Sequence, residues 1–210
     1  MLRGLFRRGR DRRDEARSPA HAWELRPGDF LKLALIAPEG LSGAELQVTA
    51  VHAVDFGGAG KVRRVLTLDG PDGPVTLWRE GHDKLAIGRE VLRADVERLF
   101  DIDVFATLFD SDGPGVLTLE RRGEPPGLEG WTTPVYRQEG GSVAYLHHQD
   151  PDQSKIDATL TDDAEGFDHY RLVGDRRRHA LEIAVFDGGR TDVTVIVIAP
   201  ESLVEELWTA

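Results

Sequence analysis

The sequence predicts an α+β fold built mainly from antiparallel strands, and three observations carry that expectation. Short apolar stretches alternate at period two between breaks rich in Gly, Pro and Asp, such as Pro71-Asp72-Gly73-Pro74 and Asp187-Gly188-Gly189. One stretch, Leu92 to Leu108, switches to spacings of three and four, the period of an amphipathic helix. The pattern Ala53-Val54-Asp55-Phe56-Gly57-Gly58 is echoed by Ala184-Val185-Phe186-Asp187-Gly188-Gly189. The echo has two readings, a duplicated unit of strands closed by one helix or two chains of good turn residues that converged. The expected organisation is a basic flexible arm over 1–20, a strand-rich unit over 21–112 ending in a helix, and a second over 113–210 ending in another.

The elements follow in order. Ser18-Pro19 ends the arm, and Pro27-Gly28 turns the chain into the apolar run Phe30 to Ile36. Leu46, Val48 and Ala50 share one parity in a strand over Glu45 to Phe56, while Val51 and Val54 occupy both parities, as a bulge or deep burial produces. Val62 to Leu68 and Val75 to Arg79 flank the breaker-rich loop 69–74 as a hairpin, and Lys84 to Val91 is another strand. Asp95 and Glu97 sit near the start of the predicted helix, where its dipole is positive, and Gly113-Pro114-Gly115 stops it. Val116 to Glu120 is a strand. Trp131–Arg137 and Ser142–His147 are expected as a hairpin around Gln138-Glu139-Gly140-Gly141, followed by a polar loop over 149–166. Phe167–Val173, His179–Phe186 and Thr191–Ile198 are strands, the last apolar on both faces and therefore central. Phe186, Val193, Val195 and Val197 are expected buried beside Leu181 and Ile183. Pro200 is expected to open a final helix that packs Leu203, Val204, Leu207 and Trp208 on the sheet.

Charge is divided unevenly along the chain. Arg3, Arg7, Arg8, Arg10, Arg12, Arg13 and Arg17 face only Asp11, Asp14 and Glu15 in the first seventeen residues, so this tail is net positive while the whole chain is −11. The acidic body repels phosphate backbones, which disfavours nucleic acid as its partner. In the arm, Leu2, Leu5 and Phe6 would line one side of a helix with Arg3, Arg7 and Arg8 beside them, a pattern suited to an anionic membrane surface. The chain has no cysteine, which removes disulfides, thiolate metal sites and cysteine nucleophiles and fits a reducing compartment. No apolar run is long enough to span a bilayer, and no apolar stretch follows the basic start as export requires. A cytoplasmic location, peripheral to the inner membrane through the arm, is the expectation.

The motifs that carry chemistry are weak. Gly57 to Lys61 imitates a phosphate loop, but Asp55 stands where its first glycine belongs and Val62 where a Ser or Thr should bind magnesium. Asp150, Asp152, Ser154 and Asp157 imitate a calcium loop with Lys155 and Thr161 at positions that require Gly and Glu. His147-His148 with Asp150 is the most reactive-looking group. Neighbours on a strand point to opposite faces, so one of the two histidines serves any given site, with His169 and His179 as partners if the strands align. Gly40-Leu41-Ser42-Gly43 lacks the spacing of a serine nucleophile elbow. Trp23, Trp78, Trp131 and Trp208 read as core or interface anchors.

Gln47-Val48-Thr49-Ala50-Val51, Arg64-Val65-Leu66-Thr67-Leu68 and Thr76-Leu77-Trp78 together resemble an uncharacterised bacterial domain of unknown function. The resemblance covers 45–91 and implies a strand-rich fold encoded beside envelope-stress proteins. It supplies no site residues. The function expected from the sequence is a non-catalytic adaptor or regulatory protein with a protein partner, no cofactor and no metal. The alternative is a small hydrolase or cation-dependent enzyme centred on His147, His148 and the acidic 150–165 segment.

Overall fold

The computed structural model describes residues 17–36, 38–57, 61–110, 117–148 and 164–210. Its strands are β1 (Phe30–Leu33), β2 (Glu45–Asp55), β3 (Val62–Gly70), β4 (Gly73–Glu80), β5 (Lys84–Val91), β6 (Thr118–Glu120), β7 (Val135–His147), β8 (Glu165–Gly174), β9 (His179–Phe186), β10 (Thr191–Pro200) and β11 (Val204–Trp208). Two short helices, α1 (Arg93–Leu99) and α2 (Ile102–Ala106), lie between β5 and β6. The α+β class holds, with every strand pair antiparallel.

Hydrogen bonding runs β11-β1-β2-β3-β4-β5-β10-β9-β8-β7-β6, and an added pairing of β2 with β7 closes the middle of that order into a ring. The C-terminal part of β2 supplies the closure, with Ala53, Val54 and Asp55 opposite His147, Leu146 and Tyr145. The N-terminal part of β2 instead pairs β1, and the N-terminal part of β7 pairs β6. The result is an eight-stranded antiparallel barrel with a short sheet extension on each side of the split. Strands from both halves of the sequence share it, joined where β5 meets β10 over eight residue pairs.

Alternation along each strand sends one parity into the lumen and the other outward. Two ion pairs identify the inward set. Arg63 on β3 meets Glu182 on β9 at 2.7 Å, and Arg171 on β8 meets Glu80 on β4 at 2.7 Å. Each pair joins strands on opposite sides of the ring, so both cross the lumen. Val195, Leu181, Ile183, Leu172, Leu77, Ile87 and Leu66 have the other parity and are completely or almost completely buried. Two segments cover this outer surface. The stretch before β2 docks by Arg64 bonding to the carbonyls of Trp23 and Leu25, and Arg79 packs over the Trp23 ring. The connection from β5 to β7 docks through Phe109 on Tyr170 and through Arg89, which donates to the Gly127 carbonyl and lies over Trp131. The main apolar core therefore lies between the barrel wall and these wraps.

Several elements differ from expectation. The helix predicted over Leu92–Leu108 is broken at Phe100, whose backbone is extended, because Asp101 caps a new helix by accepting from the Asp103 and Val104 amides. The break turns Phe100 onto both Tyr136 and Phe105, and leaves Leu92 73% exposed. The C-terminal helix is absent. Glu201–Leu203 is a single 3₁₀ turn, and Val204–Trp208 is an edge strand whose Trp208 ring stacks on Phe30 at 5.6 Å. Its pairing satisfies β1, which otherwise has a free edge. Residues 131–147 do not form a hairpin: Gln138-Glu139-Gly140-Gly141 runs through β7 with a bulge at Glu139. An added Cβ at Gly141 would meet the His169 carbonyl and the Tyr170 ring at 3.4 Å, an ordinary contact distance, so the two glycines are accommodated in the strand and do not force a turn. The loop expected over 69–74 contracts to two residues, Pro71-Asp72, between the paired Gly70 and Gly73.

Candidate functional site

The residues singled out from sequence do not assemble. Leu2, Arg3, Leu5, Phe6, Arg7 and Arg8 lie outside the described residues, as does most of the acidic 150–165 segment. His147 is buried on the outer side of the wall opposite Ala53, while His148 is exposed, 4.0 Å from Glu165. His179 faces outward too and contacts the Gly130 carbonyl at 3.2 Å. Only His169, of the four, faces into the barrel. Among the described residues no group of three or more His, Cys, Asp or Glu side chains is arranged to hold a metal ion. Nor is any described helix long and apolar enough to cross a membrane.

The lumen itself is the site. It encloses a cavity of about 390 Å3 lined by residues from every strand of the ring. Its walls are mixed. Val54, Phe56, Leu146, Phe167, Ala184 and Phe186 form an apolar patch, with Phe167 and Phe186 rings 5.0 Å apart. Small side chains keep the space open. Gly88 is confined by its neighbours: a Cβ there would approach Thr76 Oγ1 to 2.6 Å and Thr194 Cγ2 to 2.8 Å.

A network of charge crosses this space. Glu182 accepts from Arg63 at 2.7 Å and from Arg171 at 2.5 Å, and Arg171 reaches on to Glu80. The Arg63 guanidinium lies 4.8 Å from both the Phe56 and the Trp78 ring, so it is held by two aromatic faces as well as by its carboxylate. Burial pushes the Glu182 carboxyl up, but the Arg63 charge and the nearby His169 outweigh it and hold the group well below the usual carboxylate range. His169 is 8% exposed, its Nε2 lies 3.5 Å from Glu182, and that nitrogen closes no hydrogen bond. His52, also lining the cavity, is pushed below the ordinary imidazole value by burial and by His148.

Where β5 and β10 adjoin, the cavity is more open and acidic. Thr194 pairs with Glu90, placing Asp192 one step along the same inner face. Burial and the Asp192 charge raise the Glu90 carboxyl above its usual value, against a smaller opposing effect of Arg190.

Sequence reasoning missed Arg63, Arg171 and Glu182. A signal was present for Glu182, a charged residue inside a predicted strand with Ala180 and Ala184 two residues to either side; Arg63 and Arg171, with Lys61 and His169 at that spacing, read as a polar face. Comparison of the chain with protein-family models, with curated proteins and with solved structures matches nothing.

Proposed function

We propose that the protein is a non-catalytic binding protein that holds a small molecule inside its barrel. The observation that carries this is the 390 Å3 lumen, lined by an apolar patch and by buried polar groups, among them His169, whose Nε2 closes no hydrogen bond and lies 3.5 Å from Glu182. That volume suits a compact ligand, and unsatisfied polar groups buried in apolar walls are what orient one. Binding is favoured over turnover because the central carboxylate is spoken for. Glu182 is held ionised by two guanidiniums, which makes it a weak base and no proton donor at neutral pH. In this reading the basic arm attaches the acidic body to an anionic membrane surface, and a ligand in the barrel regulates what the body presents to a protein partner.

The neutral fluorophore N-phenyl-1-naphthylamine tests the lumen. Saturable binding to the full chain at one site is expected, with loss of that site in Ala184→Phe, which fills the apolar patch opposite His169 and Asp192. Binding that persists in a folded Ala184→Phe variant, or that is absent from the native chain, overturns the proposal. For the arm, sedimentation with anionic and neutral vesicles should show salt-sensitive binding to anionic vesicles that disappears when 1–19 are deleted.

A further inference from the structure

Resting on the lumen as a binding site, we infer that its ligand is a small amine, bound as an ammonium between Glu90 and Asp192 with an apolar or aromatic body against Phe167 and Phe186. The deep charges of the lumen cancel: Arg63 and Arg171 are both tied to Glu182, and Arg171 also to Glu80. The uncompensated charge lies where the cavity opens. Glu90 lines it and makes no ion pair or hydrogen bond within the described chain. Among the described residues Asp192 is served only by Arg190 at 3.5 Å, and that guanidinium is shared with Glu165 at 3.1 Å. Glu90, Asp192 and Glu165 thus share Arg190, with His148 4.0 Å from Glu165 as a further basic neighbour.

A bound cation would remove the Glu90–Asp192 repulsion, whereas a carboxylate or phosphate would add a third like charge to it. The aromatic wall agrees with this sign. Arg190 already lies 3.7 Å over the Phe186 ring, and Arg63 over Phe56 and Trp78, so the rings of this lumen are used as cation-binding faces. Deeper in, His169 Nε2 is a second independent mark of a ligand: a nine-tenths buried nitrogen without a hydrogen bond, on the cavity wall. That nitrogen lies 3.5 Å from the Glu182 carboxylate, so the ligand is fixed by its ammonium at the acidic end and by its planar body against the aromatic wall.

Three indoles of nearly the same shape decide the matter by calorimetry on the full chain at neutral pH: tryptamine, neutral indole and indole-3-propionate. Tryptamine is expected to bind at least about tenfold more tightly than indole-3-propionate, a difference of roughly 1.4 kcal/mol. In Glu90→Gln/Asp192→Asn that preference should vanish while N-phenyl-1-naphthylamine still binds. Equal or tighter binding of indole-3-propionate, or a tryptamine preference that survives the double substitution, overturns the amine assignment and leaves the lumen standing as a binding site. Failure of all three indoles together with the naphthylamine overturns both.

Discussion

The two surfaces of the same barrel wall are opposite in character. Outward-facing residues of the ring are mostly Leu, Val and Ile, sealed beneath the two wraps, whereas inward-facing ones include Arg63, Glu182, Arg171 and His169 around an open space. A small barrel ordinarily fills its interior with apolar side chains and turns its polar side to water. Here the main apolar core lies outside the ring, and the cavity with its charge network lies inside it. Part of the lumen is itself packed, by Val65, Trp78, Ala86, Ala180 and Ile196, and the charged groups beside it are kept at the cost of their desolvation, offset by mutual pairing and by aromatic faces.

That division can be broken from either side. The largest effect is expected from Val195→Asp, which puts a charge at a fully buried outward position on the central strand β10. A loss above about 4 kcal/mol is expected in urea titration; an unchanged melting temperature would refute the placement of the core outside the ring. Next comes Arg63→Ala. It leaves Glu182 with Arg171 as its one guanidinium partner, and a loss of about 3 kcal/mol is expected because a buried carboxylate is left underpaired. The double variant Arg63→Met/Glu182→Leu should recover much of this, and a double variant as unstable as the single would show that the lumen charges are structural after all.

Truncation after Pro200 removes β11, its Phe30–Trp208 stack and the Lys32 contacts to Glu205 and Glu206. A loss on the order of 2 kcal/mol is expected from the half-buried Val204, Leu207 and Trp208, with a rise in self-association as the β1 edge is bared. If the shortened chain stays monomeric and equally stable, the edge strand is dispensable. The smallest effect is on pH dependence. His52 and His179 are held below the ordinary value of 6.5 chiefly by burial, so the folded state resists protonating them. Their contribution is intact above that value and is lost as pH falls below it through their folded values. The melting temperature should therefore decline on acidification from neutral, less so in His52→Gln; a flat profile in the native chain would count against neutral buried imidazoles.

Strands were readable from the chain because alternation is local. His179–Phe186 was expected with the very limits that β9 has, and the burial of Val193, Val195 and Val197 beside Leu181 and Ile183 followed from the same pattern. What alternation does not encode is which parity faces inward once a sheet curls, so the charged inner face at Arg63 and Glu182 looked like a solvent face. The misread elements share a cause. Val204–Trp208 has helical spacing over too few residues to outweigh the open edge of β1, and Gly140-Gly141 has turn composition inside a strand that pairs with β8 along its length. Tertiary partners decided both. The break at Phe100 was detectable in principle, since Asp101 is a good cap for the residues after it.

The seam between β2 and β7 has a consequence for motion. Three residue pairs hold it, while β5 and β10 are zipped over eight. Its partners, Val54 and Leu146, are remote along the chain, so joining them is entropically expensive and comes late in folding. A ring with one short fastening opens there first. Those amide protons of Ala53 to Asp55 that bond across to β7 should exchange with solvent long before those of β10, while those directed at β3 stay protected, and the same breathing would admit a ligand to the lumen beside Leu146 without unfolding the wraps.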